Sequence, residues 1–350
     1  MKSVYKLFLF FLLSNYYFGY SQTSFEEIMG FPTINDSKSN FKFAIDTGAS
    51  TTFYLNKEIS NNKWKGFFIA YDSHKKFKIY NLRQIDLTLD ELGKVKTKGI
   101  FADQLPACLA IDVFFGLDVI NDKTIHYDFV KNNLTISDGI SFNKNHFTEI
   151  SLSTNIYGDE YYVNMNINGN DYKLLLDTGY SGKILINSPE KLDLPYQTYD
   201  SYSNSLTTRK SEVQFVFLDV PVEISNFKIN QEVKSGKMNL VGIGFLKQFN
   251  HVIIDLKNNK LFLSKKTNSE DNNTQDEIFF YVNDNREIEI NTLRRESELY
   301  NNGFRVGDKI KFSDKKLELS IKENPCDVNK LVEEWRIRNS SFPLFMKVTP

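Results

Sequence analysis

The chain has 350 residues, of which 43 are Lys or Arg and 44 are Asp or Glu, so its formal net charge is −1. This near balance lacks the basic excess that nucleic-acid binding requires, and a nucleic acid is not an expected partner. An aromatic content of 14% argues against long disordered regions, and the length suffices for two or three domains. The four His residues are scattered without the spacing of metal ligands, so we expect neither a metal nor another cofactor.

Residues 1–21 have the pattern of a secretory signal peptide. Two Lys residues lie among the first six positions, and an uninterrupted apolar run follows from Leu7 to Leu13. We expect cleavage near Ser21, and hence an exported protein, periplasmic or secreted, without a membrane span. From Leu7 to Tyr20, where a more mixed stretch ends, is 14 residues, whereas a bilayer-spanning helix needs about 20, so an uncleaved anchor is the less favoured alternative.

A first unit is expected from residue 24 to 140, and it consists mostly of strands. The predicted strands are Phe41–Ile45, Phe77–Tyr80, Gln84–Leu89 and Leu134–Ile136. The first of them runs into the motif Ile45-Asp46-Thr47-Gly48-Ala49-Ser50. Two further landmarks follow, Phe114-Phe115-Gly116 at 70 positions from the Asp and Asp128 at 12 positions from that Gly.

The same three landmarks recur in a second unit, residues 148 to 265. The motif returns as Leu176-Asp177-Thr178-Gly179-Tyr180-Ser181, 131 positions after the first copy. Leu240-Val241-Gly242 then lies 65 positions after the Asp, and Asp255 lies 13 positions after that Gly. Strands are predicted at Tyr161–Ile167 and Leu174–Leu176, and each unit has a Lys-Asn-Asn hairpin turn before its last strand. The repeated order favours two homologous halves over a coincidence of strands and turns.

The C-terminal part has a different composition. Residues 266–277 contain no apolar side chain and are expected to be a solvated linker. Residues 278–350 are expected to form a small α+β unit. Its predicted elements are strands at Ile278–Val282, Glu287–Leu293 and Leu344–Val348 and helices at Glu296–Asn302 and Asp327–Arg338. The two Cys residues, Cys108 and Cys326, lie in different units, and their spacing leaves open whether they form a bridge.

Duplicated carboxylates that each follow a buried strand indicate acid–base chemistry. When two carboxyls lie about 3 Å apart, the like charge raises one pKa strongly, and the pair holds a single proton over a broad pH range. The ionised member can then activate water while the protonated one bonds a carbonyl. Three pairs of residues would support this dyad: Gly48 and Gly179 allow close approach of the backbone, Thr47 and Thr178 bridge the two halves, and Ser50 and Ser181 bond the outer oxygens.

These residues resemble those of aspartic proteases, and most closely bacterial retropepsin-like proteins with two lobes in one chain. The resemblance covers roughly Phe41 to Leu263 and includes both Asp-Thr-Gly motifs and both apolar-apolar-Gly elements. It implies a mainly β structure with two homologous β-barrel lobes, the acid protease fold. It further implies that Asp46 and Asp177 are the catalytic pair, that Gly116 and Gly242 lie in the loops bracing them, and that a monomer cleaves peptide or protein substrates.

The motif departs from the pepsin-like pattern at the position after each Gly. Ala49 and Tyr180 stand where Ser or Thr is usual, and the lost hydroxyls predict a less acidic pair that works at mildly acidic or neutral pH. The bulky Tyr180 is also expected to narrow a subsite. Candidate flap hairpins are residues 67–80 and 199–217, although each of them taken alone is better interpreted as an ordinary surface hairpin.

The C-terminal unit resembles a bacterial-type PDZ domain, through the short helix, Gly turn and Gly-Asp-Lys-Ile strand entry within Glu296–Ile310. Such a domain implies a peptide ligand bound by strand addition. The Gly-containing carboxylate loop of that family is missing near Ile278–Tyr281, so substrate docking and a purely structural role both stay open. A catalytically silent peptide-binding protein is the alternative for the whole chain, and a dimer of single lobes is unnecessary because both half-sites are present.

Overall fold

The computed structural model describes residues 23–71, 77–102, 109–204, 209–264, 278–283, 285–339 and 341–348. The predicted signal peptide, the predicted linker and Cys108 lie outside these residues. Strands dominate the described chain, which confirms the mainly β prediction. Among the described residues, no helix combines the length and apolar character needed to cross a bilayer.

An eight-stranded sheet forms the first half. The elements up to residue 137 are β1 (Thr23–Ser24), β2 (Glu26–Ile28), β3 (Phe31–Asn35), β4 (Lys42–Ile45), β5 (Phe53–Tyr54), β6 (Ser60–Tyr71), β7 (Phe77–Leu89), β8 (Gly93–Phe101), β9 (Val113–Phe115), helix α1 (Leu117–Ile120), β10 (Thr124–Asp128) and β11 (Asn133–Ser137). The sheet order is β2-β3-β4-β9-β5-β8-β7-β6. The two strands predicted at Phe77–Tyr80 and Gln84–Leu89 are one strand, β7, because residues 81–83 between them continue its pairing with β6.

The second half repeats this order of pairing. Its elements are β12 (Phe147–Ser151), β13 (Ser153–Thr154), β14 (Tyr161–Ile167), β15 (Asn170–Asp177), β16 (Ile184–Ile186), β17 (Gln197–Asn204), β18 (Arg209–Ile224), β19 (Phe227–Ser235), β20 (Leu240–Gly242), helix α2 (Ile243–Leu246), β21 (His251–Asp255) and β22 (Lys260–Ser264). The run β15-β20-β16-β19-β18-β17 corresponds strand for strand to β4-β9-β5-β8-β7-β6. The duplication in the sequence is therefore also a duplication of topology.

A six-stranded sheet joins the two halves. Its order, β1-β11-β10-β21-β22-β12, takes strands from both, and β10 pairs antiparallel with β21 along its whole length. The Lys-Asn-Asn turns connect β10 to β11 and β21 to β22, where Asn132 and Asn259 adopt φ values of +52° and +54°. Left-handed turn residues of this kind are typical of tight hairpins, so both turn predictions are confirmed. One continuous hydrophobic core, from Phe25 to Leu263, runs through both halves.

The C-terminal unit has its own smaller core. Its elements are β23 (Ile278–Val282), β24 (Ile288–Arg294), α3 (Glu298–Asn301), β25 (Lys309–Phe312), α4 (Lys315–Glu323), α5 (Val328–Asn339) and β26 (Phe345–Lys347). Helix α4 was not predicted. Asp314 caps it by accepting hydrogen bonds from the N–H groups of Lys316 and Leu317 at 2.8 and 3.0 Å, and it also accepts one from Trp335 Nε1 at 2.9 Å. Cys326 is exposed and carries a free thiol, while Cys108 lies outside the described residues.

Candidate active site

Asp46 and Asp177 stand at equivalent ends of the two halves. Asp46 directly follows β4, which runs parallel to β9, and its N–H donates to the carbonyl of Phe115 at 3.0 Å. Asp177 ends β15, which runs parallel to β20 and pairs with it at Gly242. Both strands are buried apolar runs, so each holds its carboxylate at a fixed point beside the paired glycine loop.

Two threonines tie the motifs together across the junction between the halves. Thr47 Oγ1 donates to the carbonyl of Leu176 at 2.7 Å, and Thr178 Oγ1 donates to the carbonyl of Ile45 at 2.7 Å. Each hydroxyl oxygen also accepts a hydrogen bond from the other threonine's N–H at 3.1 Å. All four bonds are buried, so they hold the two strand ends in register, as the sequence predicted.

The two carboxyl groups lie against each other. The charge of Asp46 acts directly on the Asp177 carboxyl, and the N–H of Gly48 donates to Asp46 Oδ1 at 2.9 Å. Each carboxyl also packs on the glycine of the opposite motif. A Cβ placed on Gly48 would lie 2.6 Å from Asp177 Oδ1, and one on Gly179 would lie 2.6 Å from Asp46 Oδ1. Only glycine therefore leaves room for both carboxyls.

Burial raises the pKa of both carboxyl groups above the ordinary value of 3.8. For Asp177, whose pKa lies well above that value, the charge of Asp46 adds to the effect of burial. For Asp46, hydrogen bonds from the N–H of Gly48 and from Asp177 oppose the rise in pKa. Because the two groups titrate together, the proton belongs to the pair, and over a wide pH range one carboxyl is protonated and the other ionised.

The predicted bracing glycines lie directly behind the motif loops. Gly116 precedes α1, whose first N–H, on Leu117, donates to the carbonyl of Ala49 at 2.8 Å. Gly242 precedes α2, whose first N–H, on Ile243, donates to the carbonyl of Tyr180 at 2.9 Å. A Cβ on Gly116 would come within 2.7 Å of the Ala49 carbonyl oxygen, so a side chain would push the loop out of place.

Backbone N–H groups take part where the family pattern has hydroxyls. The backbone N–H groups of Ala49 and Tyr180 lower the pKa of Asp46 and of Asp177 respectively, and the N–H of Tyr180 donates to the backbone carbonyl of Asp177 at 3.1 Å. The ring of Tyr180 packs back on its own loop, so close that a Cβ on Gly242 would lie 2.6 Å from Tyr180 Cδ1. The roles predicted for the hydroxyls of Ser50 and Ser181, and for Tyr180 in a subsite, stay predictions.

The structure adds contacts that the sequence did not indicate. The β2–β3 turn reaches the second motif, and a Cβ on Gly30 would lie 3.0 Å from Ser181 Cβ. Lys247, which follows α2, donates to the carbonyl of Gly30 at 2.8 Å and pairs with Glu27 at 2.7 Å. Only the positive φ of Gly30, +88°, was open to prediction, as a Gly in a two-residue turn.

Both candidate flap regions are hairpins, β6–β7 in the first half and β17–β18 in the second. In the first hairpin, Phe68 and Tyr80 face inward onto a hydrophobic cluster that includes Phe53 and Phe114. Ala49 of the first motif, which is partly buried, packs against the same cluster. This hairpin therefore packs beside the first motif. Within the described residues, no group of three or more His, Cys, Asp or Glu side chains could hold a metal ion.

No family model matches the chain, and no curated protein matches it. A solved structure that is similar to it is a retropepsin-like aspartic protease from Rickettsia conorii. That protein is 23% identical over 33% of this chain and 89% of its own length, with a TM-score of 0.24. We therefore base the function on the geometry of the site.

Proposed function

We propose that this chain is an aspartic endopeptidase, which hydrolyses peptide bonds with a water molecule activated by Asp46 and Asp177. One observation carries the proposal: two carboxyls, each from a separate half, are held side by side, and each packs on the glycine of the opposite motif. Burying two carboxylates side by side is costly, and it is tolerated where a shared proton removes one charge. This is the arrangement that water activation requires.

The reaction follows from the shared proton. The ionised carboxylate takes a proton from the water, whose oxygen attacks the peptide carbonyl carbon, while the protonated carboxyl donates its proton to the carbonyl oxygen. The resulting tetrahedral diol then collapses: the C–N bond breaks, the departing nitrogen receives the proton of one dyad carboxyl, and a diol hydroxyl returns its proton to the other carboxylate as the carboxylic acid product forms. The N–H groups of Gly48 and Ala49 hold the Asp46 carboxyl in place during these transfers.

We further propose a retropepsin-like organisation with both lobes in one chain, residues 24–140 and 148–265. The strand-for-strand correspondence of the two sheets supports it. The C-terminal residues 278–350 would be a PDZ-like domain, and the protein would be an exported monomer that acts on peptides or proteins. The raised pKa of both carboxyls, and the lack of a Ser or Thr hydroxyl at the positions of Ala49 and Tyr180, support a mildly acidic to neutral optimum.

Two substitutions test the proposal. Asp46→Asn and Asp177→Asn should each abolish cleavage of a diverse peptide library by the mature protein, because neither variant can hold the shared proton and the charge together. The exposed Asp86→Asn is the matched control and should cleave like the native chain. Full turnover by either dyad variant would refute the mechanism. Peptide binding without cleavage by the native protein would support the catalytically silent alternative.

A further inference from the structure

The two equivalent hairpins differ in what lies along their outer strands. In the described chain, β6 ends the eight-stranded sheet. Its counterpart β17 has a further neighbour, because strand β24 of the C-terminal unit pairs antiparallel with it. The register joins Tyr199 to Arg294 and Ser201 to Thr292. The C-terminal unit thus extends the sheet of the second half by strand addition.

Side chains strengthen this junction. Asp200 Oδ1 accepts hydrogen bonds from Arg295 Nε at 3.0 Å and Nη2 at 2.7 Å, so one edge of the guanidinium group bonds a single carboxylate oxygen. The hydroxyls of Ser201 and Thr292 lie 2.9 Å apart, within hydrogen-bond distance. The pairing continues past the strand, since the N–H of Arg295 donates to the carbonyl of Thr198 at 2.8 Å. The joined edge therefore has both backbone and side-chain bonds.

We propose that the C-terminal unit is a clamp that immobilises the β17–β18 hairpin, with Asp200 and Arg295 as its positioning residues. On the proposed function, this makes the two flaps unequal. The β17–β18 hairpin forms a fixed wall of the cleft, and the β6–β7 hairpin is the one that opens to admit substrate. A strand at the free edge of a sheet can separate locally from its neighbour. A strand that is paired on both sides opens less readily, and this is the physical basis of the difference between the two hairpins.

The β6–β7 hairpin, which among the described residues the C-terminal unit does not contact through strand pairing, has the surface expected of a less restrained element. Its outer face exposes large apolar side chains, with 66% of Phe67, 55% of Ile69 and 60% of Ile79 accessible to solvent. The pairing of β6 with β7 is interrupted by two register shifts and by Gly66, whose φ is +119°. Each break removes ladder hydrogen bonds, so this hairpin should open at lower cost than its clamped counterpart.

The C-terminal unit is also poorly suited to take a separate peptide by strand addition. Strand β24 already pairs with β23, β25 and β17. On β23, the N–H of Phe280 donates to Asn329 Oδ1 at 2.7 Å, and Asn329 Nδ2 donates to the carbonyl of Phe280 at 2.9 Å. The amide of Asn329 thus occupies two of the backbone groups of β23, in its middle, with which an added strand would pair. The strand addition that this unit performs is to its own chain.

Hydrogen exchange in the full-length chain tests the clamp without relying on catalysis. Backbone amides of residues 197–204 should exchange about tenfold or more slowly than those of residues 60–71, because clamped strands open only in larger unfolding events. Asp200→Arg and Arg295→Asp should each speed exchange in residues 197–204, by about two- to fivefold for the loss of a pair this exposed. The double variant, with the charges swapped, should restore slow exchange. Lys309→Ala is the control, since it removes an exposed ion pair with Glu287 on the same unit but away from β17.

Peptide cleavage by the same variants tests the positioning role. The single variants should raise KM while kcat stays near the native value, because the dyad is untouched, and the double variant should recover the native KM. Equal exchange of residues 197–204 and 60–71 in the native chain, or no restoration in the double variant, would overturn the clamp. A native KM in single variants with faster exchange would overturn its role in the cleft. A chain that exchanges as expected but cleaves no peptide would instead refute the proposed function.

Discussion

Thr47 and Thr178 each place a hydroxyl oxygen on the other residue's backbone N–H, at 3.1 Å in both directions. The two hydroxyls then donate onward to carbonyls of the opposite half, Leu176 and Ile45. This reciprocal arrangement makes the position of each motif depend on the other. A substitution that displaces one motif should therefore shift the positions of both carboxyls.

The first prediction removes one hydroxyl from this arrangement. Thr178→Val keeps the shape of the side chain but leaves the N–H of Thr47 and the carbonyl of Ile45 without their partner. Each buried, unsatisfied group costs about 1–3 kcal/mol, so the free energy of unfolding should fall by about 2–4 kcal/mol. Urea denaturation measures the change. Thr178→Ser, which keeps the hydroxyl, should lose much less, and equal losses in both variants would show that the hydrogen bonds are not the cause.

A second prediction concerns the space between the motifs. In Gly179→Ala the new methyl group would lie 2.6 Å from Asp46 Oδ1, well inside van der Waals contact, so it must displace that carboxyl. Cleavage activity should fall by at least about 100-fold, because a misplacement of about 1 Å has that effect on catalysis. Gly139→Ala, which adds a methyl group in open space, is the control and should keep native activity. Near-native activity of Gly179→Ala would contradict the geometry.

The third prediction follows from the pKa of Asp177, which burial and the charge of Asp46 raise well above 3.8. The folded state then binds more protons than the unfolded state, so this group contributes stability below pH 3.8 that is lost as the pH rises through the folded-state pKa. Asp177→Asn carries no such group. The stability of this variant relative to the native protein should therefore increase from about pH 4 to pH 7. Denaturation across that pH range measures the difference, and a decrease would refute the raised pKa.

A fourth prediction has the opposite sign and concerns the sheet that joins the halves. His126 Nε2 on β10 lies 3.4 Å from His251 Nδ1 on β21. Burial, with the neighbouring imidazole second, lowers the pKa of His126 from 6.5 to about 4, although Asp128 opposes the shift. The unfolded state then binds more protons, so this stability is present above pH 6.5 and is lost as the pH falls through about 4.

His126→Gln should reduce the loss of folding free energy that the native chain shows as the pH falls. Between pH 7 and pH 4 the native chain should lose about 2 kcal/mol more than the variant, a figure that allows for partial exposure of the ring. Thermal unfolding over that pH range provides the comparison. The exposed His146→Gln is the control and should keep the native profile. Parallel profiles for the native chain and His126→Gln would show that the histidine pair does not limit acid stability.

Several features of the fold could be predicted because their causes are local. Strand β14 follows from alternating side chains and agrees with its predicted bounds, and helix α5 follows from an apolar stripe. Helix α4 was missed, although Asp314 with Leu317 and Ile321 at helical spacing was an available signal. The full length of β7 was also missed. Residues 81–83 in its middle lack the alternation of a strand, and they are extended because they pair with β6 and β8.

By itself, the sequence determined that the chain carries two matching carboxylate motifs, each at the end of a buried strand and each followed by a glycine loop. Those features depend on residue type and short spacing, which act locally. The tertiary structure alone decided that the carboxyls of Asp46 and Asp177 lie side by side, that β10 pairs with β21, and that β24 pairs with β17 in addition to the strands of its own unit. Pairing between strands that are distant in the chain depends on burial and backbone hydrogen bonding over the whole fold. It therefore cannot be predicted from any short stretch of sequence.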